Sequence, residues 1–137
     1  MTTWVFDVDA CLIDSLSGTS LRPGAHDLLE HLHRTGAEVL VWSAGGAAYA
    51  RSRLAEFGVD HLVDAFISKD ERGGDGRYLW TDGVAPGTTM VFVEDRPEDV
   101  PSGAEVIAVS PYIAHNPHDR GLDGVATRAG LVDRSPK

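Results

Sequence analysis

The chain is short of cysteine, of basic residues and of long apolar runs, and each shortage removes a class of protein. Cys11 is the sole cysteine among 137 residues, so neither an intramolecular disulfide nor a cysteine-built zinc cage can form. No apolar stretch approaches the ~20 residues that a membrane span requires. The opening MTTWVFDVD lacks the basic region and the long apolar segment of a secretion signal. The expected location is therefore the cytoplasm, with no membrane partner. Lysine and arginine number 12 against 21 acids, for a net charge of −9. Broad, sequence-independent nucleic-acid binding needs basic patches to neutralise phosphates, and this balance argues against it. A nucleic-acid end as a substrate is not excluded, because a metal can neutralise one phosphate locally.

A hydrophobic content of 42% with 24% charged residues reads as a globular chain. The length suits one domain, residues 1–137, with a respectable core. There is no internal repeat, low-complexity tract or obvious linker. Strand-like apolar runs alternate with helical patterns, which implies a parallel sheet covered by helices. The strands are expected at residues 4–8, 38–42, 62–67, 90–93 and 105–109. A helix is expected from Pro23 to about Arg34, with Leu28, Leu29 and Leu32 on one face. A second follows the Ala44-Gly45-Gly46 turn, with Tyr49, Leu54 and Phe57 at core spacing. A third, weakened by Gly121, Gly124 and Gly130, is expected over about 119–132. Residues 70–88 are too rich in glycine and charge to assign, apart from a short strand or hairpin arm at 77–80.

The stretch WVFDVDACLID, residues 4–14, poses a burial problem. Its apolar residues belong inside, yet Asp7 and Asp9 ride with them, and a buried carboxylate is costly unless paired or bound to a cation. The other strands repeat the pattern at their ends. Ser43 closes the second, Lys69 follows the third, and Glu94-Asp95 end the fourth. In an open parallel sheet, ligands bind beyond the carboxyl ends of the strands, near the point where strand order reverses. Four strands thus carry polar groups to one edge. Carboxylates suit a hard cation that prefers oxygen, such as Mg²⁺. A hydroxyl, an ammonium and the amides of a glycine-rich helix start suit the oxygens of a phosphate.

Each signal has a plainer explanation. Acidic pairs after strands also serve as helix caps, as Ser43 would for the helix that follows it. Lys69 lies in SKDERGG, where Arg72 is a neighbouring cation and both suit a solvated face. Glu94 and Asp99 fit either a supporting place or the surface. Tyr78 and Trp80 fit a cover over the site or the packing of a hairpin. None of the six histidines shows a metal-ligand spacing.

In order, a strand-end D-x-D, a strand-end serine, a lysine and an acidic pair resemble the haloacid dehalogenase-like superfamily, largely Mg-dependent phosphatases, over roughly residues 4–110. The resemblance implies a three-layer α/β/α Rossmann-like fold with about five core strands. It places Asp7 as the nucleophile that attacks phosphorus and Asp9 as general acid/base, with its main-chain carbonyl toward the metal. Ser43 and the amide of Ala44 would hold the phosphoryl group, and Lys69 would balance charge. Asp7, Asp9 and Asp95 would form the Mg²⁺ site, with Glu94 or Asp99 as an outer partner. Ala10 and Cys11 depart from the glycine and the threonine or valine frequent there. The insertion points for a cap domain are short, so a minimal, capless phosphatase of phosphomonoesters is expected. An exposed site suits a large substrate, such as a phosphoprotein or nucleic-acid end, or a lid lent by an oligomer partner. Two alternatives stand beside this reading. A receiver-type signalling domain uses similar residues in another order along the strands. A catalytically idle binding module would be expected to lose Asp9.

Overall fold

The computed structural model describes residues 2–80, 89–101 and 103–131. Five strands, β1 (Thr2–Phe6), β2 (Glu38–Ser43), β3 (Ala65–Ser68), β4 (Thr89–Glu94) and β5 (Glu105–Ala108), form one sheet in the order β3-β2-β1-β4-β5. All four pairings are parallel. The helices are α1 (Ala25–Arg34), α2 (Ala47–Glu56) and α3 (Asp123–Arg128). Single 3-10 turns sit at Asp60–Leu62 and Pro97–Asp99.

The pleat of the strands divides the core in two. Trp4 and Phe6 of β1, Val39 and Val41 of β2, and Val91 and Val93 of β4 face one way. They meet Leu28, Leu29 and Leu32 of α1, Ala50 and Leu54 of α2, and Val125 of α3. Both α1 and α2 lie on that face because β1, β2 and β3 step across the sheet in one direction, and right-handed crossovers then keep their helices together. On the opposite face Val5, Leu40, Trp42 and Phe92 are covered by Tyr78, Trp80 and Val100. Trp42 meets Tyr78, Trp80 and Phe92 at ring-centroid distances of 5.2–5.9 Å. Among the described residues this second face is thus covered by a hairpin arm and a 3-10 turn. The hairpin pairs Arg72 with Tyr78, so Tyr78 and Trp80 chiefly pack the sheet.

The α/β class and the five-stranded parallel sheet match the sequence expectation, and several boundaries move. β1 ends at Phe6, and Val8 is buried in a tight turn whose carbonyl accepts the amides of Cys11, Leu12 and Ile13 at 2.9–3.2 Å. Residues 62–64 belong to the 3-10 turn and the approach to β3. The C-terminal helix is confined to Asp123–Arg128. Part of the unassigned stretch, residues 81–88, and the end of the expected third helix, residue 132, lie outside the described residues.

Strand register decides where the polar residues arrive. Phe6 lies beside Val41 and Val93, and Ser43 beside Ser68. The C-terminal ends of β1, β2, β3 and β4 therefore stand at one edge, and strand order reverses at β1.

Candidate active site

Asp7 follows β1 directly, its N–H donating to the carbonyl of Val93 at 3.1 Å. That bond continues the β1–β4 pairing by one residue and fixes Asp7 beside the end of β4. Lys69 is set by a matching bond across the sheet, its N–H donating to the carbonyl of Ser43 at 2.9 Å. The two side chains meet: Nζ of Lys69 lies 2.9 Å from Oδ1 of Asp7 and 3.1 Å from Oε2 of Glu94. All three are buried. The Lys69 ammonium also lies 4.7 Å from the centre of the Trp42 ring, a favourable seat for a cation.

Asp7, Glu94 and Asp95 offer carboxylate oxygens all within 4.8 Å of one another. With every group ionised, three acids face one lysine, an excess of negative charge in a place largely shut off from water. Burial pushes the Asp7 carboxyl up, and the Lys69 charge only partly offsets this. Burial also pushes Glu94 well above the carboxylate range, and the nearby Asp7 charge adds to the rise. Burial alone would lower Lys69, but Asp7 and Glu94 outweigh it and hold the ammonium charged. An all-oxygen donor set with surplus negative charge fits a hard divalent cation. Cys11 is fully enclosed beside these acids, and burial keeps it a thiol.

Ser43 ends β2 and is buried. Its Oγ accepts the amide of Gly45 at 3.1 Å, and its carbonyl accepts that of Gly46, also at 3.1 Å. The hydroxyl thus shapes the turn leading into α2. The amide of Ala47, the first residue of the helix, goes instead to Oγ of Ser68 at 2.8 Å, a cap from β3. Gly46 has φ 102° and ψ 159°, a conformation essentially confined to glycine. Ala44 is exposed at the turn.

Asp9 stands apart from the Lys69 cluster. Its Oδ1 accepts the phenol of Tyr49 at 2.8 Å. Tyr49 is the third residue of α2 and is 38% exposed, so its expected place in the core is corrected. Helix periodicity gives it to the core, but its ring rises over the turn toward the sheet edge. Ala50 and Leu54 form the buried face of α2. Burial raises the Tyr49 phenol, and the bond to Asp9 raises it further, so the group remains a donor.

Of the residues expected at the site, Asp7, Lys69 and Asp95 come together with Glu94. Ser43 and Ala44 belong to the adjoining turn, and Asp9 is linked to it through Tyr49, whose ring lies against Gly45. Arg72 does not join them, since its guanidinium pairs with Asp99 at 3.1 Å and stacks over the ring of Tyr78. Asp99 likewise serves Arg72 and Arg96. His115 and His118 are exposed.

Sequence reasoning missed two supports of the site. Asp14 is buried and accepts the amides of Ser17, Gly18 and Ser20 and the hydroxyls of Ser17 and Ser20. Burial pushes its carboxyl up, but those bonds outweigh it and hold it far below the usual range. Arg22 is buried and binds Asp119, the carbonyl of Cys11 and the carbonyl of Ser110. The D-x-x-S-x-x-S spacing of residues 14–20 was a readable turn signal. Nothing local pointed to Arg22.

A parallel sheet with strand-end acids, a lysine and a serine turn fits the haloacid dehalogenase-like phosphatases, and the family match bears that class out. The family model of the NLI interacting factor-like phosphatases matches residues 2–131, and the chain belongs to that family. It is accordingly a hydrolase of the phosphatase class. Haloacid dehalogenase-like phosphatases generally use a divalent metal. No curated protein matches the chain. A solved crystal structure matches it over 94% of this chain and 81% of its own, with a TM-score of 0.53 at 15% identity, a likeness of fold alone. Among the described residues, no helix is long and apolar enough to cross a membrane.

Proposed function

We propose that the chain is a Mg²⁺-dependent phosphomonoesterase working through a phospho-aspartate on Asp7. The observation that carries this reading is the Lys69 ammonium held between Asp7 and Glu94, 2.9 and 3.1 Å away, beside the three-carboxylate cluster. A carboxylate is a weak nucleophile and is repelled by a phosphate dianion, so attack requires positive charge at the meeting point. Lys69 supplies one such charge. Asp7, Asp95 and the main chain at Asp9 would hold Mg²⁺, which supplies Lewis-acid neutralisation of the phosphate oxygens.

In the first step a carboxylate oxygen of Asp7 attacks phosphorus and the bond to the ester oxygen breaks. The carboxylic acid of Asp9 gives its proton to that oxygen, which leaves as the alcohol. In the second step Asp9 takes a proton from water, whose oxygen attacks phosphorus and frees the Asp7 carboxylate and inorganic phosphate. Ser43 and the amide of Ala44 hold the phosphoryl oxygens throughout. Because the transition state spreads charge over those oxygens, fixed donors around them contribute more than any covalent assistance.

The sequence length between β3 (ending at Ser68) and β4 (starting at Thr89) is short for a cap domain, which favours a large substrate, such as a phosphoprotein or a nucleic-acid end. A chain with a single cysteine needs no oxidising compartment, which suits the cytoplasm. The test is hydrolysis of an aryl phosphate with Mg²⁺, followed by a screen of phosphometabolites, phosphopeptides and 5′- or 3′-phosphorylated oligonucleotides. Activity is expected to vanish in EDTA and in Asp7→Asn and to fall strongly in Asp9→Asn. Full activity in EDTA or in Asp7→Asn would sink the mechanism.

A further inference from the structure

We infer that Tyr49 is a positioning residue for Asp9, its phenol holding the Asp9 carboxyl over the Ser43–Gly46 turn where the ester oxygen must leave. The inference rests on the reading of Asp9 as general acid and adds the group that aims it. Three observations carry it. Asp9 is left out of the Lys69 cluster, and among the described residues its side-chain partner is the Tyr49 hydroxyl, 2.8 Å from Oδ1. Tyr49 is a large side chain that α2 turns out of the core, although burying the ring would be worth up to about 2–3 kcal/mol. The turn is also cut to fit the ring: a Cβ at Gly45 would lie 2.6 Å from Cδ2 of Tyr49. Only a residue without a side chain lets the ring lie against the turn and reach Asp9.

The chemistry gives this contact a purpose. An unrestrained aspartate at a half-exposed position samples several rotamers, and most aim the carboxyl away from the leaving oxygen. One hydrogen bond to Oδ1 selects among them and leaves the second oxygen free to carry the proton. A neutral hydroxyl suits the task. A cation in its place would draw Asp9 into an ion pair, as Lys69 does Asp7. Misplacement of a reacting group by about 1 Å can cost on the order of 100-fold in rate.

General-acid assistance matters most for poor leaving groups, which provides the test. Tyr49→Phe keeps the ring against Gly45 and removes only the hydroxyl. It is to be compared with the parent on dinitrophenyl, phenyl and alkyl phosphates through kcat/KM, which reads the first phosphoryl transfer. Inhibition by inorganic phosphate serves as a measure of binding. The expected loss is roughly 10- to 100-fold for the alkyl ester and slight for the dinitrophenyl ester, with phosphate inhibition unchanged. In the Asp9→Asn background the same substitution should have no further effect.

A uniform loss across the series, or weaker phosphate inhibition, would overturn the inference and make Tyr49 a substrate contact. An unchanged series would overturn it too. If Asp9→Asn shows the leaving-group dependence while Tyr49→Phe does not, Tyr49 fails and the role of Asp9 stands. If Asp9→Asn itself leaves the series flat, both fall together.

Discussion

Ala10 occupies left-handed backbone, φ 64°, between the proposed nucleophile loop and the buried turn that follows. Its amide donates to the Ile13 carbonyl at 2.9 Å and its carbonyl accepts the Tyr112 amide at 2.7 Å, so the conformation is imposed from both sides. Such a residue carries about 1–2 kcal/mol of strain that glycine would not. Ala10→Gly also frees the unfolded chain, at a cost of about 0.4–1 kcal/mol. The variant is therefore expected to be as stable as the parent, or up to about 1.6 kcal/mol more so, in urea denaturation. A loss of about 0.4 kcal/mol or more would show the site unstrained. Asp14 works in the opposite sense, because three amides depend on its carboxylate. Asp14→Ala should cost about 2–3 kcal/mol by the same measurement. A change within about 0.5 kcal/mol, ordinary for surface sites, would contradict this. Asp7, Lys69 and Asp95 were legible because each sits one or two residues past an apolar strand. Tyr49 was not, since helix periodicity describes the core face and says nothing of a ring turned toward a strand end.

At the scale of elements, the segment after β5 is tied to the loop after β1 by the Arg22 side chain and a few main-chain bonds outside the sheet. The Arg22 guanidinium, fully enclosed, holds Asp119 at 2.6 Å and the carbonyl of Ser110 at 2.7 Å. Tyr112 and Ile113 pass their carbonyls to the amides of Ser15 and Leu16. Arg22→Met is expected to strand Asp119 and two carbonyls and to loosen residues 110–122. Faster amide exchange in that segment, with β1 and β4 unchanged, would express it. Exchange unaltered at 110–122 would show the tie to be idle. The strands were readable as elements, but their ends were not. Val8 is as apolar as a strand residue because it is buried, yet its carbonyl collects three amides and turns the chain. Hydrophobicity reports burial, and only hydrogen bonding separates a buried turn from a strand. The Arg22–Asp119 pair spans 97 positions, beyond any local pattern.

For the whole molecule, the parallel sheet and the strand-end acids were legible together, since parallel strands bring every carboxyl end to one edge, whereas the order of the strands came only with the structure. How the second face would be covered was not legible, because residues 70–80 show no periodicity. The excess of acid at that edge is expected to make stability depend on pH and, if the site holds Mg²⁺ as proposed, on metal. Burial raises Asp7 and Glu94 above their unfolded values, so without metal the folded state binds more protons than the unfolded one. That contribution is full below the ordinary carboxylate range and is lost as pH rises through the raised values. Mg²⁺ competes with those protons. It should therefore raise Tm more at about pH 8 than at about pH 5, by several degrees at saturation, and much less in Asp95→Asn. A hundredfold excess over Kd corresponds to about 2.7 kcal/mol. A melting temperature indifferent to Mg²⁺ at both values would remove the metal from the account.

The most direct test of the central claim is the mass of the enzyme quenched in acid during turnover of an aryl phosphate with Mg²⁺. One added phosphoryl group is expected on the peptide carrying Asp7, absent in Asp7→Asn and accumulating in Asp9→Asn with a good leaving group. A phosphoryl group on any other residue, or turnover by Asp7→Asn at the parent rate, would contradict it.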